Sequence, residues 1–182
     1  MVRKAFQQFD YSQYDYIGCI DDDQITDVWN LNLGLNIARR YGFRLWQLSM
    51  ASGSDLFYPC LAQNPSITFS ETNFIECGVP VFRRDKFKLI LDVLEEWNRI
   101  TPYEQAWGMD KAYCDIAESH AHVVHSASIF HPPRQAYYDK TSAMYELNWF
   151  MTTGYQQICQ NLFGREPVLV DNQTQYFQYK IG

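Results

Sequence analysis

Between Tyr16 and Leu162 the hydrophobic period of the chain switches repeatedly between that of a strand and that of a helix, and this alternation limits the folds open to it. Residues 2–13 read as a short amphipathic piece. Tyr16 to Ile20 is a β-prone apolar run that stops at three aspartates. Asp27 is placed to cap a helix over 28–41, with Leu31, Leu35 and Ala38 at helical spacing and Gly42 to end it. Residues 43–50 (FRLWQLSM) read as a second strand, and 51–66, with their Gly, Pro and Asn, as a long loop. Residues 66–69 and 73–77 are candidate strands before a turn at Gly78-Val79-Pro80. From 82 to 100 the spacing predicts a helix, with Phe87, Ile90, Leu91, Leu94 and Trp97 on one face. Beyond Pro102 follow a helix over 108–118, a strand over 122–125, a stop at His131-Pro132-Pro133, and a helical stretch over 141–162 that contains Gly154. Strands alternating with helices predict an α/β or α+β domain, the α/β class being the expectation taken forward: a mixed sheet flanked by helices over 1–165, with 166–182 as an extended C-terminal tail.

Composition narrows the function classes. The formal net charge of −6 argues against a large nucleic-acid footprint, which needs clustered Lys and Arg. A small phosphorylated ligand stays open, because one divalent cation can supply the missing positive charge. The five cysteines are odd in number and scattered without a CxxC pair, the pattern of reduced thiols in a cytoplasmic protein. The N-terminus has no apolar signal-peptide core, and no run reaches the roughly 18 apolar residues of a membrane span.

Four stretches carry residues suited to chemistry. Asp21-Asp22-Asp23 follow a predicted strand end, where open α/β sheets place their ligands, and hard oxygen donors there suit Mg²⁺ or Mn²⁺. The same triplet also fits an Asp-rich turn leading into the helix cap at Asp27. All four histidines fall between His120 and His131. On a strand, His122 and His125 point to opposite faces, so a compact three-histidine site is not expected; His131, held before two prolines, stands apart. In Trp107-Gly108-Met109-Asp110 an acid opens a helix, either as a cap or as a base held by a rigid turn. In FIECGVPVF, Glu76 sits among apolar neighbours, and a carboxylate buried there calls for a partner or a function. GxGxxG, GxxxxGK[ST] and GxSxG are all missing, so the signatures of dinucleotide oxidoreductases, P-loop kinases and nucleophile-elbow hydrolases are lacking.

In order, YDYIGCIDDDQI, FIECGVPVFRRDKFKLIL, AWGMDKAYCDIA and VVHSASIFHPPR resemble a GT-A-type glycosyltransferase, in particular predicted glycosyltransferases with a DDD motif, a WGLD-like motif and a late His-Pro. The likeness covers about residues 14–134. It implies a metal-dependent transfer of a sugar from a nucleotide-diphosphate donor to a carbohydrate or other hydroxyl acceptor, with Mn²⁺ or Mg²⁺ as cofactor. Carried over, Asp23 and His131 are the implied metal ligands, and Asp21 and Asp22 the implied donor-side residues. Asp110 takes the place of the base acting on the acceptor hydroxyl, and Glu76 and Trp107 lie on the substrate side.

A GT-A domain has a nucleotide-binding half ahead of its D-x-D, whereas only about twenty residues precede Asp21. The expectation is therefore a fold truncated at its N-terminus, with the missing half supplied by a partner chain or a second copy, or a reduced domain without turnover. Two other readings stay open at this stage. One is a non-catalytic carbohydrate-binding or scaffolding module on the same sheet. The other is a metal-dependent phosphohydrolase using the triplet, although Gln24-Ile25-Thr26 does not supply that class's DxD-T arrangement.

Overall fold

The structure, a computed structural model, describes residues 9–101, 103, 106–133 and 139–169, and the backbone of 176–179. Parts of the expected 2–13 piece, the turn at Pro102, Arg134 and much of the tail lie outside these residues.

Leu45–Met50 form β2, which is buried from end to end and makes the centre of the fold legible. Its alternate residues serve two different cores. Leu45 packs with Ile17, Phe82, Phe87 and Trp97, whereas Trp46, Leu48 and Met50 pack with Ile37, Ala38 and Val124. A strand with apolar contacts on both faces must lie inside a layered α/β structure. Helix α1 (Val28–Tyr41) covers one face. On the other face lie α2 (Arg84–Ile100), α3 (Met109–Ile116) and α5 (Tyr155–Phe163). Ahead of α5, helix α4 (Lys140–Trp149) runs into one π-turn at Phe150–Gly154.

The remaining strands are β1 (Tyr16–Gly18), β3 (Phe69–Thr72), β4 (Val81–Arg83), β5 (Ala121–Ile129) and β6 (Tyr176–Tyr179). They form a six-stranded mixed sheet in the order β1-β4-β2-β5-β3-β6. Because β1 and β2 both run antiparallel to β4, and β5 runs parallel to β2, the strands β1, β2 and β5 share one direction. Their C-terminal ends therefore lie at one edge of the sheet. The start of β4 reaches that same edge, since β4 runs the other way.

Several expected boundaries move. Phe82 and Arg83 belong to β4 rather than to a helix, because Phe82 pairs with Ile17 and Leu45 before the chain turns into α2. Residues 73–77 form no strand; the Glu76 N–H donates to the Gln47 side chain at 2.8 Å instead of to a ladder. The strand expected at 66–69 lies three residues later, where Phe69 to Thr72 pair with β5. Gly154 marks the π-turn within the last helical stretch, and β6, in the expected extended tail, adds a strand beside β3. Among the described residues, no helix is long and apolar enough to cross a membrane.

Candidate functional site at the carboxyl edge of the sheet

The chain leaving β1 is pinned where it crosses that edge. Asp21 N–H donates to the Gly78 carbonyl at 2.9 Å, and Ile25 exchanges two 2.8 Å backbone bonds with Phe130, just past β5. Asp27 caps α1 by accepting from the Asn30 N–H at 2.8 Å, and the Asn30 side chain in turn accepts from Ser128 N–H at 3.0 Å. A cap of this kind is worth about 1 kcal/mol. Here it also ties the aspartate loop to β5. Gly78 leaves room for the crossing, since a Cβ at that position would meet the Gln24 amide at 3.1 Å and the Asp21 carboxylate at 3.5 Å.

This path brings Asp23 against His131, Oδ2 to Nε2, at 3.1 Å, with both side chains mostly buried. The other ring nitrogen of His131, Nδ1, lies 3.3 Å from the Asp55 carbonyl. A carbonyl can only accept, so Nδ1 carries the hydrogen and donates. Neutral His131 then presents a lone pair to Asp23, and two acceptors at that separation need a positive charge between them, a proton or a metal ion. Histidines that bind metals are commonly oriented in this way, with the far N–H on a backbone carbonyl.

Four further carboxylates, Glu76, Asp110, Asp21 and Asp55, lie near the pair. Glu76, on the 73–80 loop rather than on a strand, has its carboxyl pushed up to about 7 by burial. The charges of Asp110, Asp21 and Asp55 add to that rise, and His131 opposes it. Asp110 stands at the start of α3, with burial raising its carboxyl and the neighbouring Lys111 charge holding the rise in check. Asp21 and Asp22 are exposed at the mouth of the loop. Trp107 is half-buried in the turn before α3, between Ala106 and Gly108, both at positive φ.

The site thus unites Asp21, Asp23, Glu76, Asp110 and His131, whereas Asp22 faces solvent. Asp55, Gln47 and Lys111 were not foreseen. Gln47 carried a signal, as a polar residue inside a fully buried strand. Lys111 is buried, with its ammonium 3.0 Å from the Tyr58 hydroxyl and over the Tyr58 and Phe74 rings at 4.6 and 4.5 Å. Asp55 joins only because β2 and β5 end together, a fact of topology that local spacing does not carry.

Among the described residues, no group of three or more His, Cys, Asp or Glu side chains is placed to hold a metal ion. Asp23 and His131 offer two donors. That suits Mn²⁺ or Mg²⁺ completed by water and substrate oxygens, since Mg²⁺ characteristically binds through one or two carboxylates plus phosphates. The residues present fit such an ion.

Two of the remaining histidines, His122 and His125, are accounted for structurally. His122 stacks on Phe43 at 3.8 Å, and burial pulls it down to about 4. His125 lies beside a 180 Å³ hollow with Ser70 at 2.9 Å, a pairing that invites comparison with a nucleophile and its base. Its Nδ1, however, accepts the Asn64 N–H at 3.1 Å, so Nε2 keeps the hydrogen and donates to Ser70. A general base needs the opposite arrangement.

No family model and no curated protein matches the chain. Among solved structures it is similar to the crystal structure of A197 from STIV, at 12% identity over 75% of each chain, with a TM-score of 0.40. A likeness that loose carries no weight for fold family or function.

Proposed function

We propose that the chain is a metal-dependent glycosyltransferase of GT-A type, or the catalytic part of one, transferring a sugar from a nucleotide-diphosphate donor to an acceptor hydroxyl. The observation that carries this reading is the Asp23–His131 pair, oriented by the Asp55 carbonyl and set among Asp21, Glu76 and Asp110. A divalent ion held by Asp23 and His131 would neutralise charge building on the departing diphosphate.

The chain's own residues supply the rest. Asp110 removes the acceptor proton, and its burial suits this role because desolvation makes a carboxylate more basic. The freed acceptor oxygen bonds to the anomeric carbon as the bond from that carbon to the diphosphate breaks, and the electron pair leaves with the diphosphate. Glu76, neutral over much of the acid range, accepts or donates to sugar hydroxyls, and its main chain is fixed by Gln47. Asp21 reaches the donor ribose from the loop mouth, with Asp22 as its solvent-side neighbour. Trp107 gives the acceptor an aromatic edge.

Isothermal titration of the chain with UDP and GDP should give Mn²⁺-dependent heat that EDTA abolishes and that Asp23→Ala and His131→Ala each remove. An absence of Mn²⁺-dependent binding across both nucleotides would sink the proposal for this chain.

A further inference from the structure

The Ser70–His125 pair, oriented against general-base catalysis, lines a hollow of 180 Å³ between the sheet and the segment that follows β2. An irregularity in β5 brings the histidine there. Val124 pairs with Leu48 of β2, but the next residue of β2, Ser49, pairs with Ser128, so residues 125–127 bulge out of the ladder. On the other side of the strand, the N–H groups of His125 and Ser126 both donate to the Thr68 carbonyl, at 2.8 and 3.2 Å. A bulge re-aims a side chain, and here the His125 ring meets the Ser70 hydroxyl of β3. The facing wall is pinned as well. Gln63 N–H donates to the Met50 carbonyl at 2.9 Å, Asn64 N–H to His125 Nδ1 at 3.1 Å, and Gln63 Nε2 to the His125 carbonyl at 3.3 Å.

Cys60, Ile67, Ser70 and His125, each no more than 6% exposed, make the floor of the hollow. The more exposed Pro59, Ala62, Gln63 and Asn64 make its rim. Among the described residues that line it, none is Asp, Glu, Lys or Arg, and burial keeps His125 neutral by pulling it down to about 4. The polar groups have set directions. With Nδ1 accepting from Asn64, His125 Nε2 donates to Ser70 Oγ, so the hydroxyl hydrogen is what this pair has to give. At the rim, Gln63 directs its Nε2 to the His125 carbonyl, and its Oε1 can only accept.

We propose that the hollow is a binding site for a small uncharged carboxamide about the size of a single ring, its carbonyl oxygen accepting from the Ser70 hydroxyl and its N–H group donating to the Gln63 side-chain oxygen. The size follows from the volume, since a cavity of about 150 Å³ takes a benzene ring. The chemistry follows from the lining. A hydrocarbon would displace water from Ser70 and Gln63 without replacing its hydrogen bonds, which loses affinity. A carboxylate would give up its hydration with no cation to pair with, and would set an acceptor against Gln63 Oε1. This site shares no residue with the one at the carboxyl edge, and the proposal does not rest on the transferase reading.

The test uses the full chain labelled with ¹⁵N, followed on the backbone amide of Asn64, which bonds directly to the His125 ring. Benzamide and uracil are the neutral amide probes, benzene the apolar counterpart and benzoate the charged one. At least one amide should shift the Asn64 signal saturably, and benzene and benzoate should bind at least five-fold more weakly. Ser70→Ala should weaken the amide about five-fold, the loss expected for one hydrogen bond. That variant strands the His125 Nε2–H, so Ala62→Leu carries the test if Ser70→Ala unfolds. The leucine fills the hollow from its rim without touching the hydrogen-bonded pair, and it should abolish the shift while an unchanged melting temperature shows that the fold is retained. The proposal is overturned if neither amide shifts the signal, if benzene or benzoate binds as tightly as the amides, or if a folded Ser70→Ala or Ala62→Leu binds like the wild type.

Discussion

At the scale of single residues, the site is a balance of charge in a small space. Asp110 would be still harder to ionise without Lys111, whose ammonium is held by the Tyr58 hydroxyl and two ring faces. Lys111→Met keeps an unbranched apolar stem at that position and removes the charge. The Asp110 carboxyl, followed by ¹³C NMR across a pH series, should then titrate at higher pH than in the wild type. An unmoved or lower midpoint would show that Lys111 does not act on Asp110 through its charge. The residue types at Asp23, Glu76, Asp110 and His131 were visible in the sequence because each is a polar group set against an apolar run or a rigid turn. Lys111 was not visible. In AWGMDKAYCDIA it looks like an ordinary helix residue, and only the packing of α3 against Tyr58 and Phe74 gives it a place.

At the scale of elements, what the sequence made legible were the local signals and what it hid were the pairings. Helix α1 begins after the Asp27 cap and ends at a left-handed Gly42, as expected, because both signals act within one turn. The 73–77 segment misleads because Phe74 and Ile75 are fully buried and β-prone, yet their neighbour's backbone bonds to a side chain instead of a strand. The apolar content was read correctly and the hydrogen-bond partner was not. Helix α3 depends on another feature that composition hides. Gly108 has φ +104°, and a Cβ there would lie 2.7 Å from the Phe150 ring in the π-turn. Gly108→Ala combines left-handed strain with an overpacked contact, together roughly 2–5 kcal/mol. Urea unfolding should show a loss in that range, whereas a change below about 0.5 kcal/mol would mean that the turn and Phe150 relax freely. The same variant should weaken whatever Asp110 contributes, since α3 starts at this glycine.

At the scale of the whole molecule, two groups of buried titratable residues pull stability in opposite directions with pH. His122 and His125 are held near 4 in the folded chain, mainly by burial, against an ordinary value of 6.5. For His125 the geometry agrees, because protonating Nδ1 would set it against the Asn64 N–H that it accepts. Between about pH 6.5 and 4 the unfolded chain therefore binds protons at these two positions and the folded chain does not, so they cost stability as the pH falls. Glu76 has the opposite sign. With its carboxyl at about 7 against 4.5, the folded chain keeps a proton that the unfolded chain has released, so it costs stability as the pH rises through that interval. Asp110, raised by burial as well, acts in the same sense as Glu76. The carboxyl site thus offsets part of the acid sensitivity built into the β5 histidines, and the wild-type slope of stability against pH should be shallow between 5 and 6.5. Glu76→Gln removes one of the opposing groups while keeping the shape of the side chain. Its unfolding free energy, measured in urea at half-unit steps across that range, should rise with pH more steeply than that of the wild type, by up to ~1.4 kcal/mol per pH unit. The variant should also be the more stable of the two at pH 8, where the wild type must ionise Glu76 in its buried place. Parallel lines for the two proteins would mean that Glu76 does not titrate with a raised value, and the picture of a crowded carboxylate site at the sheet edge would lose its electrostatic basis.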